Sequence, residues 1–200
     1  CMATGLIFVH ESIYENFMLH FVARASRLEC GDPIDNPKQL GPIISAKQVQ
    51  SIHEIVSESV SMGAKLTLGG TYEGNFYQPT ILENISTEMP CFKEEIFGPV
   101  ASVIKFSDEK ELIKLANLSG YGLSLGIITN DFPKAFAIAD QIPTGLLHIN
   151  DQTVSDDASI PFGGVGLSGN GGRHGGPASI EEFTQWKWIT VDSEPNVYPF

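Results

Sequence analysis

Apolar positions along the chain alternate between short continuous runs and longer segments in which hydrophobic residues recur at helical spacing. Short continuous apolar runs are typical of buried strands, whereas recurrence every three or four residues indicates an amphipathic helix. The pattern predicts strands at 5–10, 65–68, 77–82, 99–106, 123–129 and 145–149. It predicts helices between them at 12–29, 45–62, 107–118 and 131–142.

Residues at the helix starts support several of these boundaries. Ser12 with Glu15, and Ser45 with Gln48, each form the capping-box spacing in which a hydroxyl and an acid or amide satisfy free backbone N–H groups. Asp131 stands two residues before a proline, which is a common order at a helix N-terminus. We therefore expect helices to follow these caps.

Strands that alternate with helix-length crossovers imply an α/β fold with a mainly parallel twisted sheet and helices on both faces. In such folds ligand sites lie beyond the carboxyl ends of the strands. A further capping box at 179–182 predicts a short helix, and 185–191 (QWKWITV) predicts a strand. This late strand needs no crossover within the chain and is free to pair elsewhere.

Residues 161–176 (PFGGVGLSGNGGRHGG) contain GVGLSG, which fits the G-x-G-x-x-G template of a dinucleotide-binding turn. That template binds pyrophosphate only between a buried strand and a helix N-terminus. Here a polar run precedes it, and further glycines and a proline follow it. We interpret the segment as a long loop whose glycines let backbones approach closely.

The chain has 200 residues, of which 42% are hydrophobic and 18% charged, so it is long enough to bury a core. A formal net charge of −12 disfavours nucleic acids and anionic membranes as partners. The sequence contains no long apolar run or signal-peptide pattern, which predicts a cytoplasmic protein with no membrane partner. Three widely spaced cysteines fit neither a disulfide framework nor a metal site, and leave a nucleophile as one possible role.

Several stretches resemble the aldehyde dehydrogenase family, in order and over the whole chain. The first residues, Cys1-Met-Ala-Thr-Gly, together with IFVHESIYENF are similar to the sequence around that family's nucleophilic cysteine. The stretch KEEIFGPV at 93–100 is similar to its cofactor-contacting signature, and YGLS at 121–124 to the turn after the following helix. PFGG at 161–164, with Ser168-Gly169, is similar to its glycine-rich loop.

The resemblance implies that Cys1 is the nucleophile, forming a thiohemiacetal with an aldehyde and then a thioester that water hydrolyses. It implies NAD or NADP as cofactor, with Glu95 accepting hydrogen bonds from the ribose hydroxyls and Phe97 contacting the nicotinamide end. Without the resemblance, the sequence favours an inert buried thiol at Cys1. Without it, the sequence likewise favours a solvated charge cluster that includes Glu95.

The loop that begins at Asp151 resembles the wall of the family's substrate funnel, which makes Asp151 and Val154 candidate substrate-binding residues. The phrase HINDQTV is similar to enzymes for aromatic aldehydes such as benzaldehyde and vanillin. The alternative is an ordinary acidic surface loop. Residues 186–191 resemble a late strand that extends a neighbouring subunit's sheet, which implies a homo-oligomer; the alternative is an intramolecular edge strand.

The family's cofactor domain, its water-activating glutamate and its oxyanion-binding asparagine precede the cysteine and have no match here. We therefore expect 1–178 to be a catalytic domain without its cofactor domain, and 179–200 a C-terminal helix, oligomerisation strand and tail. Such a chain would be inactive in isolation. Two alternatives remain: a non-catalytic oligomerising remnant, or an N-terminal-nucleophile hydrolase whose cysteine uses its own amine as base, although the βα alternation disfavours the hydrolase.

Overall fold

The computed structural model describes residues 1–34 and 37–199. Residues 35–36 of the loop between the first two predicted helices, and residue 200 of the predicted tail, lie outside the described residues. The strands of the described part are β1 (Leu6–His10), β2 (Lys65–Leu68), β3 (Tyr72–Glu73), β4 (Phe76–Tyr77), β5 (Thr80–Glu83), β6 (Val100–Phe106), β7 (Tyr121–Gly122), β8 (Ser124–Ile127), β9 (Leu146–Ile149) and β10 (Val165–Gly166). The helices are α1 (Glu11–Ala25), α2 (Ala46–Ser61), α3 (Pro90–Lys93), α4 (Glu109–Leu118), α5 (Phe132–Ala139) and α6 (Ala178–Phe183).

A four-stranded sheet with the order β1-β6-β5-β2 forms the centre of the fold. β6 pairs in parallel with both β1 and β5, while β2 runs antiparallel to β5. In the first pair, Leu6 lies opposite Ser102. β8 and β9 form a separate parallel pair, in which Ser124 lies opposite Leu146. The predicted mainly parallel α/β architecture is confirmed, with β2 as an antiparallel edge.

Helices cover both faces of the central sheet, as predicted. On one face, α2 packs Val49, Ile52 and Val56 against Leu82 of β5. On the other face, α1 packs against Ile81, the residue before Leu82 in β5, and against β6. The buried residues of this second cluster are Val9, Tyr14, Met18, Ala25, Ile81 and Val103. Successive strand residues point to opposite faces, so β5 contributes to both clusters. Burying each large aliphatic side chain stabilises the fold by about 1.5–3 kcal/mol.

Helix α1 differs from its prediction at both ends. It begins at Glu11, because the His10 ring is the N-cap and its Nδ1 accepts a hydrogen bond from the Ser12 amide at 3.2 Å. The Ser12 hydroxyl also pairs with that ring nitrogen, at 2.8 Å, so the predicted Ser12 capping box is wrong. The helix ends at Ala25 rather than near residue 29.

The predicted strand at 77–82 is in fact two short strands in different sheets. β4 closes a hairpin with β3, and β5 belongs to the central sheet. The capping box at Ser179 is also wrong, since α6 begins one residue earlier and the Ser179 hydroxyl accepts from the Gly175 amide at 2.8 Å. Residues 185–191 are exposed and are not assigned as a strand, because no neighbouring strand of the described chain supplies hydrogen bonds to them. None of the helices in the described ranges is long and apolar enough to span a bilayer.

Candidate active site

The chain's cysteines differ sharply in accessibility. Cys1 is exposed, Cys30 is half-buried and Cys91 is buried. The Cys30 thiol donates to the Tyr77 carbonyl at 3.4 Å, and burial raises the pKa of that thiol, which makes it a poorer nucleophile. Cys91 belongs to the hydrophobic cluster under α2. Cys1 is therefore the most accessible of these thiols.

The loop after β9 contacts the segment that carries Cys1. The Thr153 hydroxyl donates to the Met2 carbonyl at 2.7 Å, and it lies 2.9 Å from the Thr4 hydroxyl. These contacts join residues that are about 150 positions apart in the sequence. They bring the predicted substrate loop beside the predicted nucleophile.

Asp151 and Val154, the candidate substrate-binding residues, flank Thr153 in this loop. Asp151 is exposed, and hydrogen bonds from the Gln152 amide and then the Ser155 side chain hold the pKa of its carboxyl below the usual value. Val154 is 44% exposed. The loop thus presents a carboxylate and an accessible apolar side chain next to the segment that begins with Cys1.

The candidate cofactor residues Glu95 and Phe97 lie on either side of Ile96. Ile96 packs against the hydrophobic cluster under α2, while Glu95 is exposed and Phe97 is 55% exposed. A Cβ added at Gly98 would lie only 2.5 Å from Cδ1 of the fully buried Ile52, so the backbone here rests directly on α2. This packing holds Glu95 and Phe97 outward.

Leu6 of β1 lies opposite Ser102 of β6. Cys1 precedes Leu6 by as many residues as Phe97 precedes Ser102. The Ser102 amide donates to the Gly5 carbonyl at 3.3 Å, so the two parallel strands are already aligned where these segments enter them. The segments that carry Cys1 and Phe97 therefore lie at the same edge of the sheet. This is the amino edge of β1 and β6, so for these residues the expected location beyond carboxyl strand ends is wrong.

Only the candidate substrate loop follows a carboxyl end, that of β9. The carboxyl edge of β1 and β6 holds a surface depression lined by His10, Ser107 and Lys110. That depression lies across the length of the strands from Cys1. The candidate site therefore combines the amino edge of the central sheet with the carboxyl end of the β8–β9 pair.

The glycine-rich segment packs backbone against backbone, as the sequence predicts. A Cβ at Gly145 would lie 1.6 Å from the Gly163 carbonyl oxygen, and one at Gly163 would lie 2.3 Å from the Gly172 carbonyl oxygen. Within GVGLSG, β10 pairs with β7, and the next helix begins only at Ala178. The G-x-G-x-x-G geometry of a pyrophosphate turn is therefore not formed.

Thr153 is a residue whose role the sequence does not predict. The residue lies in HINDQTV, but no local pattern distinguishes a threonine that bonds a distant backbone from one that faces solvent. Ser124 ends the YGLS motif, and its hydroxyl donates to the Thr153 carbonyl at 2.8 Å. Only the folded chain reveals this contact.

The fold and the site define an α/β domain with an accessible cysteine at the entrance of a parallel sheet. The model of the aldehyde dehydrogenase family matches residues 1–189. A vanillin dehydrogenase of an Amycolatopsis species is 51% identical over 201 residues, and the NAD(+) benzaldehyde dehydrogenase of Pseudomonas putida is 44% identical over 200. Each match covers 100% of this chain and 41% of the relative.

A solved structure shares this fold closely. The salicylaldehyde dehydrogenase of Pseudomonas putida G7, crystallised with salicylaldehyde, superposes with a TM-score of 0.93 at 37% identity over 100% of this chain and 41% of that one. The chain belongs to the aldehyde dehydrogenase family. It spans about two fifths of the length of the curated relatives it matches.

Proposed function

We propose that this chain is the cysteine-bearing catalytic portion of a nicotinamide-dependent aldehyde dehydrogenase that oxidises aromatic aldehydes to carboxylates. The observation that carries the proposal is the contact between the Cys1 segment and the loop bearing Asp151 and Val154. The contacts at Met2 and Thr4 support a site in which the accessible Cys1 thiol meets a substrate held by this loop. The relatives named for vanillin, benzaldehyde and salicylaldehyde support the aromatic class.

Cys1 attacks the aldehyde carbonyl carbon as a thiolate, forming a C–S bond and a thiohemiacetal oxyanion. Loss of hydride from that carbon re-forms the carbonyl as a thioester. Water then cleaves the thioester to the carboxylate and returns the thiol. The exposure of Cys1 gives both aldehyde and water access to the sulfur.

The residues at 95–97 fit a nicotinamide cofactor, which supplies the hydride acceptor when bound. The exposed Glu95 carboxylate can accept two hydroxyl hydrogen bonds, the pattern that a ribose diol presents. The exposed Phe97 ring offers an apolar surface to a flat heterocycle. Ile96, packed against the hydrophobic cluster under α2, fixes the backbone between them. Structures of family members complexed with NAD+ or NADP support this class of cofactor but not a choice between the two.

We also propose that 186–191 is an oligomerisation segment. Trp186 is 99% exposed and Trp188 is 90% exposed, although tryptophan is strongly enriched in buried interfaces. The segment belongs to no helix or strand of the described chain, so its backbone is available to another subunit's sheet edge. This accounts for its apolar composition better than a solvated tail does.

The experiment is an aldehyde oxidation assay on the natural-length polypeptide that carries this chain. Benzaldehyde or vanillin is supplied with NAD+ or NADP+, and reduced nicotinamide is followed by absorbance. We expect Cys1→Ala to abolish turnover, and Cys30→Ser, the matched control at a shielded thiol, to preserve it. Turnover by Cys1→Ala would overturn the proposal. Absence of oxidation in the wild type would favour the oligomerising remnant, and cofactor-free amidase activity would favour the hydrolase.

A further inference from the structure

Residues 1–5, which carry Cys1 into the fold, form no helix or strand. Their geometry therefore depends on contacts with other parts of the chain. The Gly5 carbonyl is held by the Ser102 amide at the start of the sheet. Closer to the cysteine, the contacts come from Thr153.

The hydrogen bonds of Thr153 have a defined direction. A threonine hydroxyl has one proton to donate, and Thr153 donates it to the Met2 carbonyl at 2.7 Å. In the 2.9 Å contact with Thr4, the Thr4 hydroxyl must therefore be the donor and Thr153 the acceptor. One hydroxyl thus binds the Cys1 segment at both Met2 and Thr4.

Thr153 is itself fixed on β8. The Ser124 hydroxyl donates to the Thr153 carbonyl at 2.8 Å. At the next position on the same face of β8, a Cβ added to Gly126 would lie 3.1 Å from Cγ2 of Thr153, so the methyl group packs closely over this glycine. Hydrogen bonding and packing together leave Thr153 little freedom to move.

We propose that Thr153 is a positioning residue for the Cys1 nucleophile, connecting β8 through Ser124 to the backbone beside the thiol. The inference rests on the proposed function of Cys1. Thr153 does not touch the reacting atoms; it sets the orientation of the Met2 peptide and hence the direction from which the Cys1 sulfur meets the carbonyl carbon. Because Asp151 and Val154 flank Thr153, the same contact fixes the substrate loop relative to the thiol.

The test compares two replacements of Thr153 in the natural-length enzyme. Thr153→Val removes the hydroxyl and keeps the shape, whereas Thr153→Ser keeps the hydroxyl and loses the methyl group. We expect Thr153→Val to lower kcat about tenfold and to change KM by less than about twofold, because misorientation acts on the chemical step. Thr153→Ser should stay within about threefold of the wild type. Thr71→Val, the same change at an exposed threonine, is the control.

Single-turnover amplitude separates positioning from a purely structural role. A positioning residue predicts full amplitude with a lower rate constant, whereas partial unfolding predicts reduced amplitude with an unchanged rate constant. The inference is overturned if Thr153→Val behaves like the wild type, if Thr153→Ser is equally impaired, or if only the amplitude falls.

A second measurement keeps this inference separate from the proposed function. The rate of Cys1 alkylation by iodoacetamide is followed by peptide mass and needs no turnover. Should the wild type oxidise no aldehyde, a change of at least about threefold in that rate for Thr153→Val but not for Thr153→Ser still supports positioning. Equal alkylation rates in both variants and the wild type would reject it.

Discussion

The Tyr14 hydroxyl of α1 donates a hydrogen bond of 2.9 Å to Oε2 of Glu83, the last residue of β5. Glu83 is only 7% exposed, and its Oε1 accepts hydrogen bonds from Lys65 at 2.9 Å and from Thr67. Lys105 lies 4.3 Å from the centre of the Tyr14 ring. Burial, and then the hydrogen bond to Glu83, raise the pKa of Tyr14, which therefore remains a donor. This contact holds α1, the helix that follows β1, against the central sheet.

Tyr14→Phe removes this donor and should destabilise the protein by about 1–2 kcal/mol, because a buried carboxylate loses one of its charge-assisted hydrogen bonds. Thr67 and Lys65 still hold the other oxygen, which limits the loss. Urea unfolding of the natural-length polypeptide measures the change. Tyr72→Phe, at a half-exposed ring that stacks on Tyr77, is the control and should change stability by less than about 0.5 kcal/mol. Equal effects of the two variants would contradict this assignment.

The same cluster predicts a pH dependence of stability. Burial acts to raise the pKa of Glu83, but hydrogen bonds from Thr67, Lys65 and Tyr14 outweigh it and hold that pKa below the ordinary value. A group with a lowered folded-state pKa stabilises the fold fully above its unfolded pKa of about 4.3. That contribution is lost as the pH falls through this value towards the folded pKa.

Glu83→Gln tests this dependence, because it keeps the side-chain shape and removes the titrating group. We expect the wild type to be more stable than the variant at neutral pH, and the gap to narrow as the pH falls below about 5. Other carboxylates titrate in both proteins and cancel in the difference. Unfolding free energies from urea titrations at several pH values measure the gap. A gap that is constant with pH would show that Glu83 does not titrate as assigned.

Gly98→Ala should weaken cofactor binding. The added Cβ would clash with Ile52 Cδ1. Because Ile52 is fully buried in a close-packed core, its side chain has little room to turn away, and the backbone that carries Glu95 and Phe97 should shift away from α2 instead. Overpacking of this kind costs about 1–3 kcal/mol. We expect the Kd for NAD+ or NADP+, measured by calorimetry on the natural-length enzyme, to rise about tenfold.

The double variant Gly98→Ala with Ile52→Val provides the matched rescue. Valine lacks Cδ1, the atom that the new Cβ would meet at 2.5 Å. Cofactor affinity should then return to within about threefold of the wild-type value. Ile52→Val alone creates only a small cavity far from solvent and should leave the Kd unchanged. Failure of the double variant to recover would mean that Gly98 acts by something other than its contact with α2.

Local patterns in the sequence predicted much of the secondary structure. The Ser45 hydroxyl accepts from the Gln48 amide at 3.2 Å and Asp131 accepts from the Lys134 amide at 3.1 Å, so both predicted caps are confirmed. Capping joins residues three positions apart and is therefore visible in a short window. His10 escaped prediction because an imidazole is an uncommon cap, and the serine two residues later offered a more usual one.

Non-local contacts could not be predicted in the same way. The placement of β6 between β1 and β5, and the antiparallel direction of β2, depend on pairing between strands far apart in the chain. The Thr153 contact with Met2 spans 151 positions. Chain order alone puts Cys1 at an amino strand edge, because it precedes β1, whereas the general rule for α/β sheets puts ligand sites beyond carboxyl strand ends.

Replacing Trp186 and Trp188 together by serine should reduce self-association. Each buried tryptophan removes about 150–250 Å² from water, equivalent to roughly 4–6 kcal/mol before the costs of association are subtracted. Light scattering coupled to size exclusion, over a range of protein concentrations, measures the concentration at which half of the oligomer has dissociated. For the natural-length variant this concentration should be at least about 100-fold higher than for the wild type. Ile34→Ser, at another exposed apolar residue, is the control and should leave the assembly intact. An unchanged oligomer in the double variant, or a monomeric wild type, would reject 186–191 as the interface.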